Sequence, residues 1–225
     1  MTEKEKQLRQ DICEVGWRLW QRGMVASNEG NISARLDEDR IICTPTGVSK
    51  GFMDPGEMAV VSMNGEPLSD VQASSEVGLH LAAYDERPDV WAVVHAHPPT
   101  ATGYAIAGQV PPVNILSETA TIFKHVPIAP YATPGTAEVA AAVRPLLAEA
   151  DVVLMKNHGA VTVAGDLWEA YHRMEVLENF TQTALVAHLL GGAEAIPPDD
   201  LETLHEIRRQ MGLEHNQDET SAESQ

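Results

Sequence analysis

The chain has 225 residues, 44% of them apolar, and carries 33 Asp and Glu against 15 Lys and Arg, a formal charge of −18 at pH 7. That length supports one domain with a core that needs no staples, and the charge argues against a nucleic-acid or anionic-membrane partner, because such binding rests on Lys and Arg neutralising phosphates. Cys13 and Cys43 lack the close Cys or His spacing of a thiolate metal site and are expected to be buried free thiols; the charged N-terminus has no signal-peptide core and no apolar run reaches membrane-spanning length, which predicts a soluble cytoplasmic protein.

In chain order, Thr2 and Glu5 have capping-box spacing, and Leu8, Ile12, Val15 and Leu19 recur at helical intervals up to Gly23. Two short runs at 31–36 and 40–44, joined by a turn, and a third at 58–63 read as antiparallel strands. Ser74 or Ser75 is placed to cap a helix running to about Arg87, with Glu76 in its first turn. The apolar run 90–97 ends at Pro98-Pro99 as a buried strand would, and a helix follows over about 100–107. Thr136 is placed to cap a helix that Pro145 must bend or restart. Residues 152–155 and 160–163 read as a hairpin around Lys156-Asn157-His158-Gly159, and a long helix runs from Asp166 to Leu190. Asp199 or Asp200 caps a last helix, and 214–225, with almost no apolar residue, reads as a disordered acidic tail behind a single domain over 1–213. Helices mix with hairpins without a βαβ rhythm, which favours one sheet layered with helices.

Residues two apart on a strand share a face, so His95 and His97 aim at one point. A lone His-x-His is often only a hydrogen-bonded pair, but neutral imidazole is a good zinc ligand, and a catalytic zinc usually takes three protein ligands and keeps a place for substrate. His158, at a hairpin tip beside Gly159, is the best third ligand; His80, His125, His172, His188, His205 and His215 lack partners at chelating spacing and read as helix-face or surface residues. Ser74 and Ser75 at a helix start form an anion site suited to phosphate, which lifts Glu76 above an ordinary first-turn glutamate. The loops carrying Gly30 and Asn31, and Thr46 and Gly47, could close that pocket, since glycines allow close backbone approach and Asn and Thr supply short donors.

Taken in order, Gly30-Asn31-Ile32-Ser33, Thr44-Pro45-Thr46-Gly47, Ser74-Ser75-Glu76, His95-Ala96-His97, the 130–136 run Pro-Tyr-Ala-Thr-Pro-Gly-Thr and Asn157-His158-Gly159 resemble the class II aldolase/adducin family, most closely its L-fuculose-1-phosphate aldolase branch, over about residues 5–190. The resemblance implies an α/β/α sandwich around a mostly antiparallel sheet, and a homotetramer with sites at subunit interfaces. It implies Zn2+ on His95, His97 and His158, with Glu76 as a resting fourth ligand that swings away to act as acid and base. It implies that Gly30, Asn31, Thr46, Gly47, Ser74 and Ser75 hold the phosphate of a small sugar substrate. The activity first implied is zinc-dependent aldol cleavage of a ketose 1-phosphate to dihydroxyacetone phosphate and an aldehyde, with no role for Lys50, Lys124 or Lys156 as a Schiff base. Two departures bear on this: Asn114-Ile115 stand where that branch has a His-Tyr pair, and no tyrosine follows Tyr171. The alternatives are a zinc-dependent 3-oxo-sugar-acid phosphate decarboxylase, a methylthioribulose-1-phosphate dehydratase, or a non-catalytic scaffold like the adducin head, against which the intact histidines and Glu76 speak.

Overall fold

The computed structural model describes residues 1–213, so the expected tail at 214–225, with His215, lies outside the described residues. A seven-stranded sheet runs in the order β3-β2-β1-β4-β7-β6-β5, with β1 Asn31–Arg35, β2 Arg40–Cys43, β3 Ala59–Ser62, β4 Ala92–Ala96, β5 Ile128–Ala129, β6 Val152–Met155 and β7 Gly159–Ala164. Every pairing is antiparallel except β5 with β6. The helices are α1 Glu3–Gln21, α2 Val77–Glu86, α3 Pro99–Ala107, α4 Ser117–Ile122, α5 Ala137–Leu147, α6 Leu167–Leu189 and α7 Pro198–Gln210.

The strands are buried on both faces, so two apolar layers form. On one face Ile32, Val94 and Leu154 meet Ile12 and Leu19 of α1, Ala101 and Ala105 of α3, and Met174 and Leu177 of α6. On the other, Val61, Val93, Val153 and Val161 meet Leu79 and Ala83 of α2 and Val139, Val143 and Leu147 of α5. The α/β/α sandwich expected from the resemblance is therefore present. No helix of the described residues is long and apolar enough to cross a membrane.

Most expected ends hold. Thr2 accepts from the Glu5 amide at 3.2 Å, and Asp166 accepts from the Glu169 amide at 2.8 Å, so side-chain oxygens satisfy amides that each helix start leaves unpaired. Three caps differ. Glu76 is itself the residue before α2, not a member of its first turn, and the Ser74 hydroxyl accepts from the Glu76 amide at 3.3 Å. Thr136 precedes α5, but its hydroxyl bonds Thr133 O at 2.7 Å, not the helix, and α5 runs on through Pro145 in its last turn. The last helix begins at Pro198, and Asp199 and Asp200 fall in its first turn, where their charge suits the helix dipole. The short α4 and two-residue β5 carry too few residues for a period to be read. Cys43 is buried and its thiol is pushed up to about 12; Cys13 is only half-buried, with its thiol raised to about 11, chiefly by burial.

The end of the sheet away from the 156–158 hairpin tip is fixed by charge. Asp151, 6% exposed, accepts from Arg173 at 3.1 Å and from Arg87 at 3.3 Å. Removing a partner from a buried pair leaves an uncompensated charge, so Asp151→Ala is expected to lose about 3–5 kcal/mol, read as a fall in the urea midpoint; a loss below about 1 kcal/mol would show these ions to be hydrated.

Candidate functional site

The other end of the sheet gathers the polar residues. Asn31 of β1 pairs with His95 of β4, so both project on the α2 face, and Ala96 pairs with Ala160, which sets the 156–158 turn beside His97. The His97 amide donates to Met24 O at 2.8 Å, and the α3 start just beyond is pinned by buried Glu178, which accepts from the Thr100 and Ala101 amides at 3.1 and 3.0 Å. The turn carrying His158 uses Asn157 at φ 57°, a left-handed conformation that Asn tolerates. Gly159 is required by contact: a Cβ there would lie 2.5 Å from Ala96 O and 2.7 Å from the His97 ring. Gly159→Ala is expected to push the turn off β4, costing about 1–3 kcal/mol and lowering divalent-metal affinity; an unchanged affinity in titration calorimetry would refute the tight fit.

The ligand atoms of His95, His97 and His158 all lie within 4.8 Å of one another. His95 and His97 approach Nε2 to Nε2 at 3.2 Å; Glu76 Oε2 is 3.3 Å from His95 Nε2, and Glu76 Oε1 is 3.3 Å from His158 Nε2. His95 Nδ1 donates to Ala160 O at 2.9 Å, which leaves the Nε2 lone pair facing the cluster. Burial lowers His97 to about 3 and His158 to about 4, so both rings are neutral at pH 7, the ligand form. Burial alone would raise the Glu76 carboxyl, but the contacts with His95, when its Nε2 carries a proton, and with the Asn31 amide win and hold it well below the usual carboxylate range. Glu76 Oε1 is buried without a hydrogen-bond partner. Lone pairs of three imidazoles around an orphaned carboxylate oxygen fit a divalent cation, with Glu76 as fourth donor.

A cleft of about 280 Å³ opens beside this cluster, lined by all six residues expected to hold phosphate, together with Glu76, His97 and His158; His95 lies fully buried behind them. Its walls are laced together, the Ser74 amide donating to Thr44 O and the Thr46 amide to Gln72 O, each at 3.1 Å. Gly30 sits at φ 71° with its α-carbon against β4, where a Cβ would meet His95 O at 2.8 Å, so only glycine brings that loop to the cleft.

A family model of class II aldolase and adducin N-terminal domains matches residues 10–185. The chain belongs to this class II aldolase and adducin family. It is 36% identical to a 3-oxo-tetronate 4-phosphate decarboxylase of Cupriavidus necator over 77% of this chain and 82% of that one. It is 32% identical to an L-fuculose phosphate aldolase of Methanococcus maripaludis over 76% of this chain and 91% of that one. The crystal structure of Escherichia coli YgbL superposes with a TM-score of 0.83 at 29% identity, over 89% of this chain and 98% of that one.

Three residues of this class II aldolase-type site escaped the sequence. Glu29 reaches 3.5 Å from His97 Nδ1, and its carboxylate also accepts from the Ala26 amide at 3.1 Å. Lys50 lines the cleft although only 2% exposed; its amine donates to Asn28 O and Val48 O at 3.1 and 2.6 Å, and burial lowers it to about 8. His80, expected on a helix face or the surface, is buried against Asn31 and Ser33. A signal for His80 existed, since it stands four residues after Glu76 on the same helical row. None existed for Lys50, because lysines are rarely buried.

Proposed function

We propose that this protein is a divalent-metal-dependent decarboxylase of a phosphorylated 3-oxo sugar acid of the 3-oxo-tetronate 4-phosphate kind. The observation that carries the reading is Glu76, standing between three converging imidazoles and a cleft lined by Ser74, Ser75, Thr46 and Gly47. The decarboxylase relative at 36% identity supports this outcome over the aldol cleavage that the sequence resemblance first implied. Chemistry supports it as well. Aldol cleavage needs a group to take the proton of the hydroxyl that becomes the aldehyde, and Asn114-Ile115 replace the pair that would serve. Loss of carbon dioxide needs none.

The substrate's phosphate would lie against Ser74, Ser75, Thr46, Gly47 and Gly30, with the Lys50 charge behind them. Asn31 has one amide hydrogen spent on Glu76 and a second left for the phosphate. His95, His97, His158 and Glu76 would hold the metal, zinc by their ligand chemistry, which when bound stabilises negative charge developing on the oxo group and its neighbouring carbon. As the bond to the carboxylate breaks, its electron pair stays on the hydroxyl-bearing carbon and carbon dioxide leaves. Glu76 then delivers to that carbon one proton drawn from solvent, giving dihydroxyacetone phosphate. Association of copies, as the proposed homotetramer requires, is supported by Leu185, Leu189 and Leu190, large apolar side chains left exposed at and just past the end of α6, and light scattering would measure the number of copies.

The test is a screen of 2-hydroxy-3-oxo-acid 4-phosphates and ketose 1-phosphates on metal-loaded protein. Equal yields of carbon dioxide and dihydroxyacetone phosphate from the oxo acids are expected. Dihydroxyacetone phosphate from a ketose 1-phosphate with no carbon dioxide from any acid would make it an aldolase; no turnover and no stoichiometric metal would return the scaffold reading.

A further inference from the structure

Behind Glu76 a file of buried polar side chains crosses from α2 to β1. Tyr84 Oη and Ser33 Oγ are 2.7 Å apart, Ser33 Oγ and His80 Nδ1 2.6 Å, His80 Nε2 and Asn31 Oδ1 2.5 Å, and Asn31 Nδ2 donates to Glu76 Oε2 at 2.9 Å. All four residues behind Glu76 are at most 3% exposed, so water does not compete for these bonds. We infer that His80 is a positioning residue: held as its Nε2–H tautomer by hydrogen bonds that start at Tyr84, it fixes the Asn31 amide with its NH2 towards Glu76.

The direction of the file is forced from both ends. An ionised carboxylate only accepts, so Asn31 must turn its NH2 to Glu76 and its oxygen to His80, whose Nε2 then has to carry the hydrogen. On a neutral ring Nδ1 accepts, so the Ser33 hydroxyl donates to it and must itself accept from Tyr84. Read from the other end, burial keeps the Tyr84 phenol protonated, and Ser33 is its acceptor. Burial also lowers His80 to about 3, which keeps the ring neutral and its two nitrogens distinct. Reversing the file would set the Asn31 oxygen against a carboxylate oxygen at 2.9 Å and leave the Tyr84 hydrogen without that acceptor. Asn31 also stands opposite His95 on the neighbouring strand, so the same amide ties the carboxylate to the strand that carries His95 and leads directly into His97. Fixing it in one orientation holds Glu76 where it can meet both the metal site and the cleft.

The inference rests on the acid–base role proposed for Glu76, but its first test needs no substrate. The 15N resonances of His80 in the full-length, metal-loaded protein are expected to show a protonated Nε2 and a bare Nδ1. The opposite tautomer, or a doubly protonated ring at pH 7, would overturn it, whichever reaction the protein performs. The second test compares His80→Leu with His80→Gln, whose amide nitrogen reaches the place of Nε2. His80→Leu is expected to lower kcat about 10–100-fold with KM and metal content little changed, and His80→Gln to recover most of the loss. Equal losses in both variants, or loss of metal and thermal stability in parallel with kcat, would mean that His80 only packs.

Discussion

Glu76→Gln is expected to keep the metal and to bind orthophosphate as the native protein does, while turnover falls roughly 100- to 10,000-fold, the range in which a positioned acid or base contributes. The variant keeps an oxygen for the Asn31 amide, which donates to Glu76 Oε2 at 2.9 Å, and nearly the same volume in a site where only 12% of that side chain is exposed. It would lose the ability, proposed for Glu76, to carry a proton between solvent and the carbon that has released its neighbour. Three readings on one preparation separate the roles: bound metal by elemental analysis, inhibition by orthophosphate, and kcat on the 3-oxo-acid phosphate. Normal kcat would remove Glu76 from the chemistry. Loss of metal along with kcat would make it chiefly a ligand.

The second large effect is expected at His95. Its ring is fully buried, its Nδ1 is tied to Ala160 O at 2.9 Å, and its Nε2 lies 3.2 Å from His97 Nε2 and 3.3 Å from Glu76. His95→Ala removes the central donor of the proposed metal site and is expected to cost more than the roughly 10- to 100-fold in metal affinity that follows loss of a supporting partner, leaving turnover undetectable. Dialysed protein should retain no stoichiometric metal, whereas the same change at exposed His172 should alter nothing. Full metal retention by His95→Ala would sink the assignment of the centre.

The histidine cluster was legible because its geometry is local. Two residues apart on a strand, or at a hairpin tip beside glycine, is a relation that sequence states outright, and it led to His95, His97 and His158. The loops that line the cleft were legible only jointly, through the order in which Gly30, Thr46 and Ser74-Ser75 recur. What stayed hidden depends on burial. Glu76, His80 and Tyr84 follow one another at intervals of four along one helix row, yet nothing in the sequence says that Ser33 of β1 waits opposite them. Lys50 stays hidden for the same reason, since its amine is received by the carbonyls of Asn28 and Val48, and carbonyls have no sequence. Asp199 and Asp200 misled because a helix start read from composition slips by a residue or two when proline precedes it.

The three imidazoles and Glu76 come from a helix start, a central strand and a hairpin turn, up to 82 positions apart along the chain, which is 158 less 76. A centre assembled from such distant pieces exists only once β1, β4, β6 and β7 have found their registers. A metal held there would therefore act as a ligand of the native state alone, adding about 2.7 kcal/mol at one hundred times its dissociation constant. Metal supply would then govern how much of this protein persists in the cell, as well as how fast each copy turns over.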